Sequence, residues 1–235
     1  MRETLFAGAR RLGIELTDLA VRQFEAYARC LEEDNKKMNL TAVTGEREIA
    51  ERHFLDSLAV LAAAGESGRG ARVIDVGSGP GFPGVPMKLA EPSISLTALD
   101  STEKRVVFLQ KIFNTLEISG ALAIFARAEE LSREAEHRER YDLAVSRAVA
   151  RLNVLTELCL PFVKVGGSFL AMKTAASGEE TDEAQAAISL LGGELGEHYD
   201  YEIMGARHRI VRINKVAPTP EKYPRRYAKI LKQPL

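Results

Sequence analysis

The sequence predicts an α/β fold: a mostly parallel sheet with an antiparallel hairpin at one edge and a helical cap ahead of it. Three observations carry that prediction. Apolar runs alternate with amphipathic stretches between residue 72 and about residue 190, the spacing of right-handed strand–helix–strand crossovers. A glycine-rich turn, Asp75-Val76-Gly77-Ser78-Gly79-Pro80-Gly81-Phe82-Pro83-Gly84, follows the first of those runs. The first 64 residues show only helical periodicity.

With 235 residues the chain can bury one sizeable core. The expected division is a helical cap over residues 1–64, the main α/β domain over 71–216 and a basic tail over 217–235. No apolar run approaches the roughly 20 residues that span a bilayer. Met1-Arg2-Glu3-Thr4-Leu5 opens no secretory apolar core, so a cytosolic protein is expected. Cys30 and Cys159 fall in apolar helical patterns and read as reduced, packed thiols. No metal is expected. Net charge is −1, but nine cations between residues 202 and 235 face only Glu202 and Glu221. That end carries +7 and the first 201 residues −8, a split that points to a polyanion partner.

In chain order, Leu5, Phe6, Leu12 and Ile14 open a helical segment, and Thr17 reads as an N-cap. Ala20, Phe24, Tyr27 and Leu31 then form an apolar stripe along one helix face. After the polar link Asn35–Thr41, a third helix is expected from Glu46 through Leu61, with Ile49, Phe54, Leu55 and Leu58 inward. His53 and Asp56 lie one turn apart on it, as a surface pair, an anchor to the main domain or part of a pocket rim. Gly65–Gly70 reads as a linker. Strands are expected at Arg72–Val76, Ser95–Leu99, Ala121–Ala126, Tyr141–Val145 and Gly167–Met172, with helices beginning near Pro83, Ser101, Glu129 and Leu152. A further helix, Asp182–Leu191, precedes two strand-like runs, Glu194–Met204 and His208–Asn214, expected as an antiparallel edge hairpin.

Ligands of open α/β sheets bind outside the carboxyl ends of the strands. The unusual residues fall there: Asp75 through Gly81, then Asp100, then Arg127-Ala128-Glu129, then Ser146-Arg147. Gly79 to Gly84 formally fits the dinucleotide fingerprint, which works through free N–H groups at a helix start. Pro80 and Pro83 have none to give, and Asp75 adds negative charge where two phosphates would approach. The loop therefore suits a phosphate-free ligand with an amine, a carboxylate and a nucleoside, as in S-adenosylmethionine, better than NAD or FAD. Asp100 would accept from ribose hydroxyls, and Ala128-Glu129 would flank the adenine through backbone N–H.

In this company the loop resembles the cofactor loop of class I (Rossmann-like) methyltransferases, and in particular the bacterial ribosomal RNA small subunit methyltransferase G family (RsmG, formerly GidB). Asn39-Leu40-Thr41, Arg52-His53, Asp56-Ser57, Leu99-Asp100-Ser101, Lys104-Arg105, Arg127-Ala128-Glu129-Glu130, Ser146-Arg147-Ala148 and Tyr223-Pro224-Arg225-Arg226 carry the likeness in this order. It implies methylation of guanine N7 at position 527, in the reference numbering, of 16S ribosomal RNA. It also implies cofactor contacts at Gly77, Phe82, Ala128, Glu129 and Arg147. Asp75, Gly79 and Asp100 join them from the loop reading. The likeness thins after Arg226, where Tyr227-Ala228-Lys229-Ile230-Leu231 replaces a more polar tail.

The residues agree with that chemistry. Guanine N7 has a free in-plane lone pair, so alignment of nucleophile and methyl group is the main requirement and no general base is needed. Ser146-Arg147-Ala148 is not the Asn/Asp-Pro-Pro-aromatic signature of amine methylation, and neither cysteine follows a strand as a C5-methylating thiolate would. Arg147 is the expected catalytic residue, by positioning. Its charge keeps it off the sulfonium and suits the donor's carboxylate or an RNA phosphate. Tyr223, Arg225, Arg226, Lys229 and Lys232 are the expected RNA contacts, in naked RNA or a small ribosomal subunit. A non-catalytic ribosome-assembly factor on the same fold is the competing reading.

Overall fold

The computed structural model describes residues 1–147, 150–175 and 178–235; Ala148, of the Ser146-Arg147-Ala148 motif, lies outside the described residues. The cap follows from its stripes. Helix α1 spans Arg2–Arg11 and α2 spans Asp18–Met38. Thr17 caps α2 by accepting the Ala20 N–H at 3.1 Å, which satisfies one of the orphan donors of the first turn. Ala20, Phe24, Tyr27 and Leu31 are all buried. The third helix is composite: α3 (Glu46–Ile49) and α4 (Asp56–Ala64) are joined by a π-helical turn, Ala50–Leu55. Every residue from Ile49 to Val60 is buried except Glu51 and Arg52.

The remaining elements are β1 (Arg72–Val76), α5 (Gly84–Ala90), β2 (Ser95–Asp100), α6 (Glu103–Thr115), β3 (Ala121–Phe125), α7 (Ala128–Leu131), β4 (Tyr141–Arg147), α8 (Leu152–Cys159), β5 (Val163–Thr174), α9 (Gly178–Leu190), β6 (Gly193–Leu195), β7 (Tyr199–Ile203), β8 (Ala206–Lys215) and α10 (Tyr227–Lys232). One sheet runs in the order β3-β2-β1-β4-β5-β8-β6, with β7 also paired to β8. The first five strands are parallel. From β1 the chain first builds outward through β2 and β3, then returns to place β4 on the other side. That reversal opens a crevice at the carboxyl ends of β1 and β4.

The edge hairpin differs from the expected one in two ways. Strand β8 is internal, antiparallel to β5 from Ser168↔Asn214 to Thr174↔His208. Its partner run is split into β6 and β7, because three residues (196–198) stand opposite two on β8 between the pairs Leu195↔Ile213 and Tyr199↔Ile210. The extra residue bulges and interrupts the ladder.

Alternate strand residues feed two cores, one on each face of the sheet. Val73, Leu96, Leu143 and Leu170 pack with the cap residues Leu5, Phe24, Tyr27 and Phe54 and with α5 and α6. Ile74, Leu99, Ala144 and Phe169 pack with α8, α9 and Ile230 of α10. Burial raises the thiol pKa of both Cys30 and Cys159. Among the described residues no helix is long and apolar enough to cross a membrane.

Candidate active site

Strand β1 delivers Asp75 to the start of the glycine loop, fully buried. Its Oδ2 accepts the Ser78 hydroxyl at 2.6 Å and the Gly84 N–H at 2.9 Å, while Oδ1 is buried without a partner among the described residues. Burial outweighs those two hydrogen bonds and raises the carboxyl to about 6. Asp75, expected among the cofactor contacts, therefore braces the loop from beneath and is not among the residues that wall the strand-end cleft described below. The brace consumes the first N–H of α5, and Pro83 precedes it, so a pyrophosphate would find no donors there. A Cβ at Gly84 would stand 2.9 Å from Asp75 Oδ2, which is why this position holds glycine.

The loop's other end is tied to β2. Gly77, at φ +74°, and Ser78 both donate to the Leu99 carbonyl at 2.9 Å. The Gly79 N–H donates to Asp100 Oδ2 at 2.9 Å, and Asp100 Oδ1 accepts the Thr102 N–H at 2.8 Å. Arg105 Nη1 lies 3.2 Å from Asp100. Across the crevice the Ser146 hydroxyl donates to the Val76 carbonyl at 2.9 Å, locking β4 to β1 where the loop departs.

Two neighbourhoods result. The first is a cleft of about 210 Å³ walled by Val76, Gly77, Leu99, Asp100, Ser101, Ala126, Arg127, Ala128, Glu129, Leu155, Leu158 and Tyr227. Gly77, Asp100, Ala128 and Glu129, expected together, meet there. A groove of about 470 Å³ adjoins it through Arg127, Glu129 and Tyr227.

The second neighbourhood gathers Phe82 and Arg147 outside that cleft. The Phe82 ring is buried, with ring centroids 4.5 Å from His53 and 5.5 Å from Tyr27. The Arg147 guanidinium stands 4.7 Å from the Phe82 centroid, a cation–π contact. Arg147 Nη1 donates to Asp56 Oδ2 at 3.3 Å and to the Arg52 carbonyl at 3.4 Å, and Asp56 Oδ1 accepts the Tyr201 hydroxyl at 2.7 Å. Asp142, the acid on the same strand as Arg147, pairs with Lys164 at 2.5 Å. His53 Nε2 bonds the Thr41 hydroxyl at 2.8 Å, and burial followed by the Arg147 charge lowers its pKa to about 4. His53 and Asp56 thus belong to an internal network rather than to a helix surface.

Two expected RNA contacts are engaged within the protein itself. Tyr223 is buried, and Arg225 is spent on Glu157 of α8, itself fully buried: Nη2 reaches Oε2 at 2.6 Å, Nε reaches Oε1 at 2.9 Å and the backbone N–H donates at 2.8 Å. Tyr223 is held in the interior, while Arg225, its charge paired, still lines the adjoining groove beside Arg226 and Tyr227. Arg226, Lys229 and Lys232 are exposed.

Sequence reasoning missed Tyr27, Tyr201 and Glu157, and it read Tyr227 as a stacking surface for RNA rather than as part of the cleft wall. Tyr27 carried a signal: a tyrosine within an apolar stripe needs a partner for its hydroxyl, and that hydroxyl donates to the Pro80 carbonyl of the loop.

A mostly parallel sheet with its reversal at β1/β4, carrying a glycine loop and an acid at successive strand ends, defines the class I methyltransferase fold. Solved structures of that class superpose on it: magnesium protoporphyrin IX methyltransferase from Synechocystis PCC 6803, with bound SAM (TM-score 0.56, 13% identity, 80% of this chain and 96% of that one), and TrmN from Thermus thermophilus (0.54, 18%, 71% and 53%). Within the class, the family model for GidB, rRNA small subunit methyltransferase G, matches residues 20–207. Relatives named ribosomal RNA small subunit methyltransferase G are 47% identical in Pelotomaculum thermopropionicum and 44% in Alkaliphilus oremlandii, each over 100% of this chain and 99% of the relative. The chain belongs to this family.

Proposed function

We propose that the protein is a cytoplasmic methyltransferase that uses S-adenosylmethionine to methylate N7 of a guanine in 16S ribosomal RNA. The observation that carries this reading is the strand-end cleft, where Gly77, the Asp100 carboxylate and the Ala128–Glu129 turn face one space. The donor set fits the cofactor: a carboxylate for ribose hydroxyls, backbone amides and aliphatic walls for a neutral base, and no array of N–H groups for phosphates. When bound, the cofactor supplies an electrophilic methyl group on a sulfonium.

The protein's own part is alignment. Gly77 keeps the loop backbone close to the ligand, and Tyr27, Asp75 and Asp100 hold the loop still. Among the described residues Arg147 spends only Nη1 on the protein, so its Nε–Nη2 edge remains as a fork for a carboxylate or an RNA phosphate. A neutral His53 adds no second positive charge beside it and is too weak a base to be needed for N7 attack. The exposed Arg226, Lys229 and Lys232 supply phosphate contacts to the RNA, whether it is naked or within a small subunit.

The test is transfer of a tritiated methyl group to small subunits from cells lacking the protein, followed by nucleoside identification. Labelled 7-methylguanosine is the expected product. Donor binding without any transfer would favour the assembly-factor reading, and another methylated nucleoside would overturn the assignment to N7.

A further inference from the structure

The segment after β8 has the sequence of a basic arm, yet it is built into the molecule. Arg138 donates to the carbonyls of Thr219, Pro220 and Tyr223, and Arg133 to those of Glu221, Lys222 and Pro224. Arg225 then closes on the buried Glu157, and Ile230, fully buried, seats α10 in the core that contains Leu155 and Leu158. Between these two anchors stands Tyr227. It lines the strand-end cleft in the company of Leu155, Leu158 and the Ala128–Glu129 turn. The Arg127 guanidinium lies 5.7 Å from the ring centroid.

We propose that Tyr227 is a ligand-contacting residue of the donor cleft, packing its ring on the flat heteroaromatic base of a purine nucleoside, and that the fastened tail is a wall of that cleft. Three features converge on this. The lining combines aromatic and aliphatic side chains, Tyr227, Leu155 and Leu158, with the acid Asp100, a mixture that suits a ligand made of a flat base and a sugar. Backbone at 128–129 offers the edge recognition that a base needs beside a stacking surface. The ring is held by a buried ion pair on one side and a buried isoleucine on the other, so it is ordered before any ligand arrives. The inference rests on reading the cleft as a site for S-adenosylmethionine.

Calorimetric titration of S-adenosylhomocysteine and of adenosine into the full chain tests it, with Tyr227→Phe and Tyr227→Ala beside the unsubstituted protein. Tyr227→Phe is expected to hold both affinities within about twofold, and Tyr227→Ala to lower both about tenfold. The chain contains no tryptophan, so Tyr227→Trp places the sole indole in the wall, and its emission, excited at the red edge of indole absorption to spare the tyrosines, is expected to change saturably with either ligand. If the unsubstituted protein binds neither ligand, the cofactor reading falls and this inference with it. If it binds both, but Tyr227→Ala binds as well and the Tyr227→Trp emission is unmoved, the tail alone is overturned. Should Tyr227→Ala not fold, the Tyr227→Trp titration decides by itself.

Discussion

Removing the His53 imidazole should change how stability depends on pH. His53 is buried, stacked on Phe82 and faced by the Arg147 guanidinium, and its pKa falls from 6.5 to about 4. Protonation is therefore easier in the unfolded chain than in the folded one. Its contribution is fully present above pH 6.5 and is lost as pH falls through about 4. The gap between those two values corresponds to about 3 kcal/mol at 1.36 kcal/mol per tenfold. His53→Gln keeps a polar group near Thr41 but takes up no proton. Urea unfolding of both proteins at half-unit steps from pH 7.5 to 4 measures the difference in stability between them. That difference should narrow by about 3 kcal/mol on acidification. Asp75 has the opposite sign: raised to about 6, its favourable contribution is lost as pH rises from about 4 through 6. It is present in both proteins and cancels in the comparison. Parallel curves across the range would refute the reasoning, because His53 would then be free to charge in the folded state.

Arg147→Lys keeps the charge but loses the fork, and methyl transfer should drop about a hundredfold with an unchanged circular-dichroism spectrum; near-normal turnover would remove Arg147 from the mechanism. Tyr201→Phe takes one hydrogen bond from Asp56, lowering stability by about 1 kcal/mol in urea unfolding, and lowers transfer while leaving donor affinity intact. In the tail, the combined change of Arg226, Lys229 and Lys232 to Ala should lower the salt slope of RNA binding by about 2 without affecting the melting temperature. Arg225→Ala should leave the slope alone but cost about 3–5 kcal/mol of stability by stranding Glu157. An exchange of these two outcomes would reverse the assignment of the tail's cations.

Much of the scaffold could be read in advance because its signals are local. The alternation of strand and helix, the Thr17 cap and the stripe from Ala20 to Leu31 each depend on residues within a few positions of one another. The convergence of Gly77, Asp100 and Ala128–Glu129 followed from the rule about strand ends. What resisted reading depends on partners far apart in the chain. Arg225 and Arg226 are adjacent and chemically identical, yet one is paired with the buried Glu157, 68 positions earlier, and the other faces solvent. A charge count cannot separate them. Asp75 looked like a ligand contact because it opens the loop, but its side chain points into the interior that the same loop covers. Tyr201 was hidden for a similar reason: its strand meets Asp56 only once the bulge at 196–198 has re-aimed the hairpin.

The π-helical turn at Ala50–Leu55 sets a phase relation between two halves of one rod. An α-helix turns about 100° per residue, so the one residue more that a π turn holds shifts everything before it around the axis relative to everything after it. Upstream of the turn Ile49 faces the cap; downstream Asp56 faces Arg147 and Tyr201. Were the same residues wound as a regular α-helix, length, charge pattern and apolar content would be unchanged, yet one half would be rotated by roughly a quarter turn. The chain would then have to choose between seating its cap and presenting its guanidinium, so this short stretch acts as the angular gauge of the whole site.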